Sequence, residues 1–192
     1  MFKARFALSS WMVYMKPTLI IFSGLPGTGK TTLARLLALQ LRVPLVRLDD
    51  LFDIIPEHML AHANPFWEDL MQIVLRLAEA LLTSGLNVII DAVFMGDDRL
   101  LAHEIARRHH AAYCPIHTFV SDEQLWCARV IARRANAPPQ DSPATWEQIQ
   151  EQRKEFQTWQ PGSALFVDAV NSVEDNLAQI LRFIEGVESI QQ

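Results

Sequence analysis

The segment Gly24-Leu25-Pro26-Gly27-Thr28-Gly29-Lys30-Thr31 limits what this chain can fold into more than any other, because it needs a strand before it and a helix after it. It matches the G-x-x-x-x-G-K-[ST] phosphate-loop pattern at every position. The branched run Leu19-Ile20-Ile21-Phe22 ahead of it reads as a buried strand, and Thr32-Leu33-Ala34 behind it opens a helix-forming run. Gly24, Gly27 and Gly29 allow the backbone to curl until successive N–H groups face one anion. The helix beginning near Lys30 aims its positive end at the same point. Leu25, Pro26, Thr28 and Thr32 complete the wall of this nucleotide-phosphate site. In it, Lys30 reaches the β- and γ-phosphates and the Thr31 hydroxyl is a ligand for Mg²⁺.

The rest of the chain alternates between strand and helix signals. Val43 to Leu48 reads as a second strand ending in Asp49-Asp50, followed by an irregular run from Leu51 to Ala63. Asn64-Pro65 caps a helix whose face is Leu70, Ile73, Val74, Leu77 and Leu81, with Gly85 as its stop. Strands follow at Asn87 to Asp91, Tyr113 to Val120 and Ala164 to Asp168. The intervening helices cover about 97–110, 121–134 and 145–158, with capping boxes at Ser121/Gln124 and Thr145/Gln148, and a last helix runs from Ser172 to Gly186. This order predicts an α/β fold: one parallel sheet with helices on both faces, three layers in all. Ligands in such sheets sit at the carboxyl ends of the strands. Gly24–Thr31, Asp49/Asp50 and the stretch from Asp91 to Phe94 should therefore converge.

A length of 192 residues suits one domain, here 17–192, with 1–16 expected to be an extension and Met12 or Met15 alternative starts. The net charge of −5 and the lack of a continuous basic face disfavour a long polynucleotide partner. No apolar run is long enough to span a membrane. Cys114 and Cys127 are too few for a disulfide framework and read as reduced thiols of a cytoplasmic protein.

Phosphoryl transfer needs a cradle, a metal, cations on the moving group and a means of orienting the nucleophile. Asp91, closing an apolar strand, is placed to meet Mg²⁺ or the acceptor. The next residue is Ala92, where enzymes that prepare water commonly carry an acid, so a substrate hydroxyl is the expected acceptor. Asp49 is the leading base for that hydroxyl, with Asp50 and Asp53 behind it. Arg129, Arg133 and Arg134 end a helix just before the Pro138-Pro139 segment, which reads as a lid around 134–145. Arg133, with Arg129 one turn away, is expected to close on the phosphates. Phe66, Trp67, His58 and His62 are expected to roof an acceptor pocket suited to an uncharged small molecule.

From about Thr18 to Glu185 the chain resembles the P-loop kinase group that includes chloramphenicol phosphotransferase, polynucleotide kinase and zeta-type toxins. The resemblance is carried by Leu48-Asp49-Asp50-Leu51-Phe52-Asp53-Ile54-Ile55-Pro56 and by Gly85 to Gly96, together with the spacing of Arg129 and Arg133. It implies a P-loop NTPase fold of the nucleoside and shikimate kinase type with a small lid. It also implies use of ATP and Mg²⁺, and Asp49 as the base. Where polynucleotide-type kinases place an arginine three residues after the base, this chain has Phe52. The expected activity is ATP-dependent phosphorylation of a small-molecule hydroxyl. The alternatives are a kinase acting on a nucleic-acid 5′-hydroxyl or a nucleotide sugar, and a nucleotide-switched ATPase or binding module.

Overall fold

In the computed structural model, residues 16–54, 66–138 and 141–190 are described. Five strands form one sheet: β1 (Thr18–Ser23), β2 (Leu45–Arg47), β3 (Val88–Asp91), β4 (Ala112–Phe119) and β5 (Leu165–Asp168). All pairings are parallel and the order is β2-β3-β1-β4-β5. The helices are α1 (Lys30–Leu41), α2 (Leu48–Ile54), α3 (Phe66–Thr83), α4 (Asp98–Arg108), α5 (Glu123–Ala135), α6 (Trp146–Glu155) and α7 (Val173–Ile190). The chain leaves central β1, visits one edge, returns beside β1 as β3, and crosses to the other side as β4. The crevice at that reversal lies at the end of β1, where the phosphate loop begins.

Strand alternation divides the core in two. Ile20 and Phe22 face Leu33, Leu37, Ile180 and Ile184 of α1 and α7. Leu19 and Ile21 face Leu70, Val74, Ala102 and Ile105 of α3 and α4. Period-2 side-chain reversal lets one strand serve both helical layers. A third cluster, with Leu25, Trp126, Val130 and Ile149, sits at the carboxyl edge and joins the loop to α5 and α6.

Several local expectations change. The run after β2 is not irregular from its start, since Leu48–Ile54 is helical and Asp49 and Asp50 occupy its first turn, where the helix dipole favours carboxylates. Asp122, rather than Ser121, caps α5, accepting from the Leu125 N–H at 3.0 Å. The Thr145/Gln148 capping box is complete. Helix α6 stops at Glu155, and Phe156 and Trp159 in the following segment stack over Arg99. Helix α7 runs through Gly186 to Ile190. The expected Asn64-Pro65 cap lies outside the described residues, as do His58, His62 and almost all of the expected N-terminal extension.

Candidate active site

The phosphate loop is shaped by contacts that exclude side chains at its glycines. Gly24 has φ +138, and a Cβ there would lie 2.3 Å from the Thr118 carbonyl oxygen. Gly27 has φ +82, and its Cβ would lie 2.8 Å from Val130 Cγ2. Both conformations favour glycine, and at both positions the neighbours leave no room. Thr28 Oγ1 donates to the Leu25 carbonyl at 2.8 Å and shares a 2.8 Å bond with Thr118 Oγ1. Trp126 Nε1 donates to the Pro26 carbonyl at 2.9 Å.

Helix α1 starts at Lys30 behind Gly29, with no side-chain cap and no acidic residue in its first turn. Its first amides, those of Thr31 and Thr32 among them, therefore have no intrahelical acceptor, and no carboxylate from the helix's own first turn competes for the positive end. Lys30 is buried and its Nζ donates to the Leu25 carbonyl at 3.1 Å. Burial pushes the ammonium below its ordinary value. Asp91 and Asp49 oppose that shift, whereas Arg133 and Arg47 reinforce it. A buried ammonium surrounded by both kinds of charge, beside an uncapped helix start, is a cradle for a polyanion.

Asp91 lies at the end of β3 with its side chain 3% exposed. Its Oδ2 accepts from Thr31 Oγ1 at 2.7 Å and from Arg47 Nε at 3.2 Å. The pair Thr31–Asp91 therefore presents a hydroxyl and a carboxylate at one point next to Lys30, a hard oxygen donor set that fits Mg²⁺ when phosphate oxygens complete its shell. Among the described residues no group of three or more His, Cys, Asp or Glu side chains could hold a metal by itself.

Arg47 is the member of this cluster that sequence reasoning missed. It ends β2 and is in register with Asp91 of β3, so the two side chains lie adjacent on one face of the sheet. Its guanidinium also bonds Asp50 and reaches Asp49 Oδ2 at 3.4 Å, and it is itself only 10% exposed. The available signal was a cation at a strand end immediately before an acidic helix start.

The predicted residues gather unevenly. Lys30, Thr31, Asp91 and Asp49 converge, with Asp49 exposed and held by Arg47. Arg133 is exposed on the last turn of α5 yet near enough for its charge to act on Lys30. Arg129 donates to the Ala169 carbonyl at 3.0 Å, and Ala169 is also the nearest neighbour a Gly29 Cβ would meet. Arg134 turns away to the Pro143 carbonyl. Asp53 lies on α2, and Phe66 and Trp67 open α3; their side chains are outside the described set.

Residues 19–159 match the family model described as AAA domain. The chain belongs to that family. No curated protein matches the sequence. Among solved structures, a candidate kinase from Chloroflexus aurantiacus superposes with TM-score 0.68 at 23% identity, covering 90% of this chain and 98% of that one. A sugar kinase from Janibacter sp. gives 0.67 at 14% identity, with 88% and 95% covered. Kti12 from Chaetomium thermophilum, solved with ADP-AlF3, gives 0.66 at 17%, with 86% and 98% covered. These likenesses show the shared P-loop NTPase fold: five parallel strands between helices. No helix among the described residues is long and apolar enough to cross a membrane.

Proposed function

We propose that this AAA domain is an ATP- and Mg²⁺-dependent kinase that phosphorylates a hydroxyl of a small molecule. The observation that carries the reading is the meeting of three things at one strand-end crevice. These are a polyanion cradle with a buried lysine, the Thr31–Asp91 oxygen pair, and the Asp49 carboxylate tethered by Arg47. The kinases among the structural neighbours support the same reaction class. Ala92 after Asp91 leaves no adjacent acid to prepare water.

In the proposed reaction the loop amides and Lys30 hold the phosphates of ATP. Asp49 takes the proton from the acceptor hydroxyl as its oxygen bonds the γ-phosphorus, while the bond from that phosphorus to the β-phosphate oxygen breaks and ADP leaves. Thr31 and Asp91 would hold Mg²⁺, which when bound neutralises charge on the phosphate oxygens. Arg133 closes over the transferring group, its charge already bearing on Lys30. Cytoplasmic location belongs to this proposal, since ATP is available there.

The test is incubation with ATP, Mg²⁺ and a library of hydroxyl compounds, read by mass spectrometry for a product heavier by one phosphoryl group. With an acceptor in hand, Asp49→Asn should lower turnover on the order of 10²–10⁴-fold and leave ATP affinity nearly unchanged. Full turnover in that variant removes Asp49 from the chemistry. ADP release with no acceptor dependence would favour a nucleotide-switched ATPase.

A further inference from the structure

Helix α5 does more than carry arginines. Trp126, Arg129, Val130 and Arg133 fall at i, i+3, i+4 and i+7, on one face, and the Trp126 and Val130 end of that face is docked on the phosphate loop. Val130 and Trp126 are the atoms a Gly27 side chain would strike. Arg129 holds the Ala169 carbonyl beside Gly29. Trp126 is 5% exposed and spends its one donor on the Pro26 carbonyl.

That bond has a directional consequence. A trans peptide is planar, so its carbonyl and N–H point to opposite edges. With the Pro26 carbonyl held at Trp126, the Gly27 N–H of the same peptide must point away from the indole. Three of the eight loop positions have no amide to spare. The Gly24 N–H goes to the Val93 carbonyl and the Thr28 N–H to the Leu25 carbonyl, each at 3.4 Å, and Pro26 has no N–H. If the Pro26–Gly27 peptide turned over, it would present a carbonyl to the anion in place of a donor. Gly27 has no Cβ to resist that rotation.

We propose that Trp126 is a positioning residue for the phosphate loop: its indole N–H holds the Pro26–Gly27 peptide in the orientation that offers the Gly27 N–H to phosphate. The inference rests on the nucleotide-binding part of the proposed function and on nothing concerning the acceptor. Helix α6 backs the arrangement, with the Trp146 ring edge-on to Trp126 at 5.0 Å and the Arg153 guanidinium 5.6 Å from its centre. The indole therefore has little freedom to leave.

The experiment measures the affinity of ADP with Mg²⁺ by calorimetry, and of inorganic pyrophosphate by competition. The proteins compared are the wild type, Trp126→Phe, and a protein carrying β-(3-benzothienyl)alanine at position 126. The last keeps the bicyclic shape and lacks only the N–H, so it serves if the phenylalanine variant folds poorly. Loss of one hydrogen bond should weaken ADP about two- to tenfold. Pyrophosphate, with no base or sugar, should weaken by the same factor, while the benzothienyl protein without nucleotide still unfolds in one cooperative transition, its midpoint lowered by no more than the loss of one hydrogen bond. Equal ADP affinity in wild type and the benzothienyl protein would overturn the proposal, and so would a loss confined to ADP. A wild type that binds no ADP would instead remove the proposed function.

Discussion

Replacing Arg47 with Met is the sharpest test of how the site is held together. The substitution keeps an unbranched stem and deletes a guanidinium that touches three carboxylates. Two of those partners contribute little: Asp49 and Asp50 have side chains 61% and 53% exposed, and exposed pairs are worth about 0–1 kcal/mol. Asp91 is different, with 3% exposure, and removing one partner of a buried pair costs roughly 3–5 kcal/mol. Asp91 keeps its bond from Thr31, so the expected loss lies toward the lower end, about 3 kcal/mol. Denaturant unfolding of Arg47→Met should show a lower midpoint with an unchanged slope. Adding Asp91→Asn removes the stranded charge, so the double variant should regain much of the loss, a coupling on the order of 2 kcal/mol. If Arg47→Met unfolds within about 0.5 kcal/mol of wild type, the idea that Arg47 compensates a buried Asp91 is wrong. If the two losses simply add, it is wrong as well.

His117 supplies a pH prediction. It is buried against Phe156 and Phe166, and burial first, then the charges of Arg99 and Lys30, push its pKa down to about 4. The unfolded chain has the ordinary value, so between the two the unfolded state binds more protons and stability must rise with pH. The contribution is fully present above about pH 6.5 and lost as pH falls toward 4, up to about 3 kcal/mol in all. His117→Phe should flatten that part of the stability–pH curve; an unchanged curve would place the acid sensitivity elsewhere. The two thiols should separate as well. Cys114 is fully buried and burial pushes its pKa up to about 12, whereas Cys127 is partly exposed. Iodoacetamide at mildly alkaline pH should label Cys127 in the native protein and Cys114 only after unfolding, as peptide mass spectrometry would read.

Much of this fold was legible because its signals are local. The glycine spacing of the loop, the apolar strand before it and the helix start behind it all sit between Leu19 and Ala34. The strand-end rule then placed Asp91 and Asp49 near Lys30 without knowledge of which strands pair. Helix ends were read less well. Asp49 and Asp50 serve equally as the tail of a strand or the head of a helix, and α6 stops where Phe156 and Trp159 find Arg99, a contact invisible to periodicity.

Contacts set by register and docking were out of reach. Arg47 acquires its role because β2 and β3 pair with Arg47 opposite Asp91; one residue of slip would turn it to the other face. Trp126 meets Pro26 across a sequence separation of 100 because α5 settles on the loop, and an amphipathic pattern says only that Trp126 is buried. The sequence alone thus determined which groups are candidates to bind phosphate, since that capacity follows from backbone freedom and neighbouring charge along a short stretch. Tertiary structure decided which groups orient them, because a guanidinium or an indole donor has a partner only once separate elements are packed at one distance and one angle.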